Sequence, residues 1–153
     1  MTLTELLKPN LIVPKVSCSS KDELITILSE RLYYNDKNPP LPHAEVLGKI
    51  KTREEIGGTL LPSGLSVPHA RIMDYEDFII VMGTSKEPLF HDKTQIRLMA
   101  LMISSQSGGP YYLPTLAVLA KITRDEDFFS RLCAADTPED FLHILKERDM
   151  ELV

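Results

Sequence analysis

Ile96-Arg97-Leu98-Met99-Ala100-Leu101-Met102-Ile103 is the run whose reading decides the fold. It is far shorter than the ~20 apolar residues that cross a bilayer, and Arg97 interrupts it. Near-continuous apolar character at this length marks a strand central in a sheet that is covered on both faces. Upstream, Leu65 to Val67 and Phe78 to Met82 are shorter, partly β-branched runs bounded by Gly and Pro, and both predict strands. Leu11 to Val16 predicts a further strand, which Pro14 confines to an edge because proline has no N–H to give a ladder.

Helix signals flank this strand region. Ser20-Lys21-Asp22-Glu23 is a capping box, and Leu24, Ile25, Leu28 and Leu32 follow at helical spacing to about Tyr33. Residues 35–42, with three prolines, predict a loop. A second helix starts near Pro42, buries Val46, Leu47 and Ile50, and ends near Glu55 before Gly57-Gly58. After a loop from Ser104 to Pro110, a helix carries Leu113, Leu116, Ala117 and Ala120. Asp125 caps the next, with Phe128, Phe129 and Leu132. Thr137-Pro138-Glu139-Asp140 opens the last, with cap, N1 proline and acidic first turn in order. Helices before and after a strand cluster predict a three-layer α/β architecture, as a single domain over residues 1–153.

The chain has 153 residues, 17 basic and 22 acidic, for a formal net charge of −5. That balance argues against an electrostatic grip on nucleic acid and leaves room for a local basic pocket. Cys18 and Cys133 stand far apart and form no metal-ligand pattern, which points to a reducing, cytoplasmic setting. The first fourteen residues lack the pattern of a secretory leader, and no run is long enough for membrane insertion. There is no H-E-x-x-H, paired C-x-x-C, G-x-S-x-G or Walker loop, so neither a metal nor an organic cofactor is expected.

The chemistry concentrates between Arg53 and Arg71. This stretch holds Gly57, Gly58 and Gly64, the hydroxyls of Thr59 and Ser63, the pair Pro68-His69 and an arginine at each end. Glycine-rich turns let backbone N–H groups converge on an anion, and arginine presents a planar fork of donors to phosphate. A neutral histidine can attack phosphorus and carry the group. These are the parts of a phosphohistidine site, although a glycine turn and a Pro-His pair also occur where there is no site at all. His43, His91 and His143 fit ordinary surface or interface roles, and the carboxylates near Glu54 and Asp125 fit helix ends.

Arg53-Glu54, Gly57, Thr59, Gly64 and Leu65-Ser66-Val67-Pro68-His69-Ala70 stand in the order of a known signature. With Lys86-Glu87-Pro88-Leu89, the 96–103 strand, Leu113 to Lys121 and the Thr137 helix start, the chain resembles the mannitol/fructose-type enzyme IIA family of the bacterial phosphotransferase system. That family includes nitrogen-regulatory IIA proteins. The resemblance implies a mixed central sheet flanked by helices on both faces. It implies His69 as phosphoacceptor from a histidine phosphocarrier protein, with Arg53 beside it; the residue types of the 57–64 turn add the expectation that Gly57, Gly58, Thr59, Ser63 and Gly64 bind the phosphoryl group. Downstream it implies a IIB domain or a regulated protein. Tyr112 falls where many members carry a second histidine, Gly58 where serine is frequent, and Pro62 removes a loop N–H. These departures keep open a IIA-like binding module that is not phosphorylated.

Overall fold

The computed structural model describes residues 1–33 and 39–152. In chain order its elements are helix α1 (Leu3–Leu6), strand β1 (Ile12–Val16), helices α2 (Lys21–Tyr33) and α3 (His43–Gly57), and strands β2 (Leu65–Ser66) and β3 (His69–Ile72). Strand β4 (Ile79–Ser85), a hairpin of β5 (Phe90–His91) and β6 (Thr94–Gln95), and strand β7 (Leu98–Ser105) follow. Helices α4 (Tyr112–Ile122), α5 (Glu126–Cys133) and α6 (Pro138–Leu145) complete the order.

Local chemistry explains most of the helix starts. The Ser20 hydroxyl accepts from the Glu23 N–H at 3.1 Å, while the Glu23 carboxylate accepts from the N–H and hydroxyl of Ser19. The reciprocal arm of the capping box therefore reaches one residue further upstream than the pattern requires. Asp125 and Thr137 cap α5 and α6 as their sequences predict, by accepting from Phe128 N–H and Asp140 N–H. Of the loop expected over 35–42, residues 35–38 lie outside the described residues, and 39–42 carry neither helix nor strand.

Among the described residues five strands form one mixed sheet in the order β1-β4-β7-β2, with β3 also on β7. β1 runs parallel to β4, β4 antiparallel to β7, and β2 and β3 parallel to β7. β4 is buried from Ile79 to Thr84 and β7 from Leu98 to Ser104, so both faces of the sheet are covered. That is the environment the apolar 96–103 run predicts, although pairing begins at Leu98. β1 lies at an edge, as Pro14 requires, and its register shifts between Val13 and Val16. Lys15, at φ 52°, donates its N–H to Thr84 Oγ1 at 2.9 Å within that irregularity.

Three elements were not expected: the α1 turn, the short β5–β6 hairpin and β3. The last has a simple cause. Leu65 pairs with Leu98 and His69 with Met102, so one register runs through the break at Val67-Pro68. The Pro68 carbonyl keeps that register by accepting from Met102 N–H at 2.9 Å. Proline thus interrupts the ladder without ending the strand, and His69 lies within it.

α2 lies directly on β4. A Cβ built on Gly83 would stand 2.7 Å from Leu28 Cδ2 and 3.0 Å from the Val13 carbonyl oxygen. Glycine here permits the close approach of helix to strand. Gly83→Ala is expected to destabilise the protein by about 1–3 kcal/mol through overpacking. The measurement is a lower denaturant midpoint at unchanged slope.

Candidate functional site

The end of the β3–β7 ladder places His69 opposite Met102 and Arg71 opposite Ser104. His69 Nε2 lies 2.8 Å from Ser104 Oγ, and that hydroxyl also donates to the Ser105 carbonyl at 3.1 Å. With the serine hydrogen so engaged, the imidazole gives its own N–H to Ser104, and the other ring nitrogen keeps its lone pair.

Beyond Ser105 the chain turns back over the imidazole. Gly108 and Gly109 take φ of 92° and 65°, a left-handed path open to glycine at no steric cost. This turn delivers Tyr112, the first residue of α4, onto His69 with ring centroids 4.0 Å apart and planes 13° from parallel. The Arg71 guanidinium carbon is 5.8 Å from the centroid of the same tyrosine ring.

α3 supplies the other wall. Val46 and Ile50 are buried, while Glu45, Gly48, Lys49, Thr52 and Arg53 follow at helical spacing along the side that faces His69. Together with His69, Ala70, Arg71 and Tyr112 they line a cleft of about 750 Å³. Among the described residues, neither Arg53, Arg71 nor Lys49 has a carboxylate within ion-pair distance. An acidic protein therefore contains one cleft in which cations outnumber the single carboxylate of Glu45.

His69 is 7% exposed, and its pKa is pushed down to about 4, first by burial and then by the charges of Arg71 and Arg53. The ring is consequently neutral at physiological pH, as a nitrogen nucleophile must be.

The structure brings Arg53, His69 and Tyr112 into one cleft. Tyr112 meets the imidazole with the face of its ring. None of Gly57, Gly58, Thr59, Ser63 or Gly64 lines the cleft. Thr59 is bound to Val67, giving its hydroxyl to the Val67 carbonyl and accepting the Val67 N–H. Gly64, at φ 101°, accepts from Arg97 N–H at 2.8 Å, and the Ser63 carbonyl receives the Arg97 guanidinium. Gly58 borders the Lys21–Glu54 ion pair, where a Cβ would stand 2.9 Å from the carboxylate. Gly57 ends α3 in open space.

Sequence reading did not single out Ser104 or Lys49, and noted Arg71 only as a flank. The signal for Arg71 and Ser104 lies in the ladder: alternation puts Arg71 on the same side of β3 as His69, and register sets Ser104 beside both. Elsewhere, His43 Nε2 lies 2.9 Å from Ser29 Oγ at the α2–α3 contact, and His91 is exposed in the hairpin. No described helix is long and apolar enough to cross a membrane.

A mixed sheet covered on both faces, with helices before and after its strands, sets the class of fold, and comparison with known proteins gives the family. Residues 5–148 match the family described as "Phosphoenolpyruvate-dependent sugar phosphotransferase system, EIIA 2", and the chain belongs to it. The chain is 26% identical over 153 residues to the PTS system 2-O-alpha-mannosyl-D-glycerate-specific EIIABC component of Escherichia coli (strain K12). That match covers 97% of this chain and 23% of the relative's length. It is 24% identical over 152 residues to the nitrogen regulatory protein of Bradyrhizobium diazoefficiens, covering 95% of each. Among solved structures, the chain superposes at a TM-score of 0.74 on Escherichia coli enzyme IIA mannitol in its complex with phosphorylated enzyme IIB mannitol. The identity is 18%, with 92% of this chain and 97% of the other covered.

Burial of a neutral histidine has a measurable consequence. The unfolded chain takes up a proton at the ordinary pKa near 6.5, while folded His69 resists until about 4. Stability from this source is complete above pH 6.5 and is lost as the pH falls toward 4. Between pH 6.5 and 5 the loss is about 2 kcal/mol at roughly 1.4 kcal/mol per pH unit. Denaturant melts should show that loss in the wild type and a much flatter profile in His69→Gln.

Proposed function

We propose that residues 1–153 act as one IIA-type domain in which His69 accepts a phosphoryl group from a histidine phosphocarrier protein. The observation that carries this reading is the pairing of a neutral, Ser104-bound imidazole with a cleft rich in unpaired cations. In the transfer, the lone pair of the free His69 nitrogen attacks phosphorus as the P–N bond to the donor breaks. The bonding electrons return to the donor's ring nitrogen. Each imidazole keeps the hydrogen on its other nitrogen, so no net proton moves. Little covalent chemistry is left for other side chains. Catalysis then rests on orientation and on stabilising the phosphoryl oxygens, which Arg53 is placed to do from α3.

Family membership and the likeness to nitrogen regulatory proteins and to an EIIABC component support two outlets for the group. One is a regulated protein that distinguishes the phosphorylated from the free form. The other is a IIB domain, as in the mannitol complex. Regulation is placed first. Tyr112 favours one further reading, a IIA-like binding module that stays unphosphorylated, because a phenol supplies no cation beside phosphate.

Incubation with the upstream phosphoenolpyruvate-driven components tests the proposal. An acid-labile label is expected on the wild type and absent from His69→Ala. Equal labelling of the variant would refute His69 as acceptor. A folded wild type that takes no label would favour the unphosphorylated module.

A further inference from the structure

Arg71 has a place in the cleft that the family reading leaves without a role. It follows His69 by two residues on β3, so both side chains leave the same face of the strand, separated by about 7 Å along it. The chain exposes Arg71 into the cleft, and among the described residues no carboxylate pairs with it. The guanidinium carbon lies 5.8 Å from the ring of Tyr112, within reach of a cation–π contact, and the same ring stacks on His69. Tyr112 is thus a shared platform: it holds the imidazole by stacking and the guanidinium by its π system.

Arg53 reaches the same cleft from α3 on the opposite wall. Two guanidinium groups that line one cleft, with no carboxylate at ion-pair distance among the described residues, repel each other when the cleft is empty and are relieved when an anion enters. Their planar forks suit the oxygens of a phosphoryl group.

We propose that Arg71 is a second phosphoryl-binding arginine, clamping from β3 the group that Arg53 clamps from α3, with Tyr112 as its positioning residue. This rests on the reading of His69 as phosphoacceptor. A cation is thereby supplied from the acceptor's own strand, on the side of the cleft where Tyr112 itself carries no charge. The depressed pKa of His69 is consistent with the placement, since Arg71 is the first of the two charges that lower it.

The test uses the full chain with Arg71→Gln and Arg71→Lys, whose unfolding midpoints should match the wild type because the residue is exposed. With the phosphoenolpyruvate-driven components, Arg71→Gln should label about ten- to a hundredfold more slowly, the range expected for loss of one charged hydrogen bond in the transition state. Arg71→Lys should recover only part of the rate, because lysine keeps the charge and loses the fork.

Two readouts need no phosphoryl donor. By NMR, the His69 ring should titrate at higher pH in Arg71→Gln than in the wild type. Inorganic phosphate should perturb the His69 and Arg53 resonances less in the variant. Labelling of Arg71→Gln at the wild-type rate overturns the proposal. If the wild type takes no label, the phosphoacceptor reading fails. The phosphate titration then decides Arg71 alone, and equal responses in wild type and variant, including none in either, overturn it.

Discussion

Everything in this molecule depends on β7 being buried on both faces while pairing along both edges. Antiparallel β4 occupies one edge, and parallel β2 and β3 occupy the other. A strand so placed can hold a polar side chain only where a partner awaits it. Ser104, fully buried near the strand's end, meets that condition by bonding His69 and the Ser105 carbonyl. The demand for satisfied polarity at the end of the central strand is therefore also what orients the imidazole.

The cleft balances two electrostatic tendencies. Burial and neighbouring arginines keep His69 neutral, which preserves its lone pair. The same arginines raise the free energy of the empty cleft and lower it when an anion is present. Both tendencies come from the same placement of Arg53 and Arg71 beside His69.

What the sequence made legible follows the range of the interactions involved. Caps at Ser20, Asp125 and Thr137 act within one helical turn, and their helices could be read directly. The apolar run at 96–103 identified the central strand because burial on two faces leaves a compositional mark. β3 was not legible, since Pro68 and Arg71 break its pattern and only a register set with β7, thirty-three residues away, makes it a strand. His69 and Arg53 could be named from residue type, order and family likeness, but their shared cleft required α3 to lie beside β3. The turn at 57–64 carried the composition of an anion loop. In the fold its backbone is engaged with Val67 and Arg97, a competition that no local pattern records.

The two outer strands of the sheet each meet a proline: Pro14 within β1, and Pro68 between β2 and β3. β1 adds the kink at Lys15, and residues near Leu60 lie antiparallel against Ser66 outside β2. An open sheet advertises unpaired backbone to any passing chain, and such interruptions spoil the template. The chain thereby avoids being zipped to other chains, or to its own copies, through its backbone. Encounters are left to side chains and shape, which can let go.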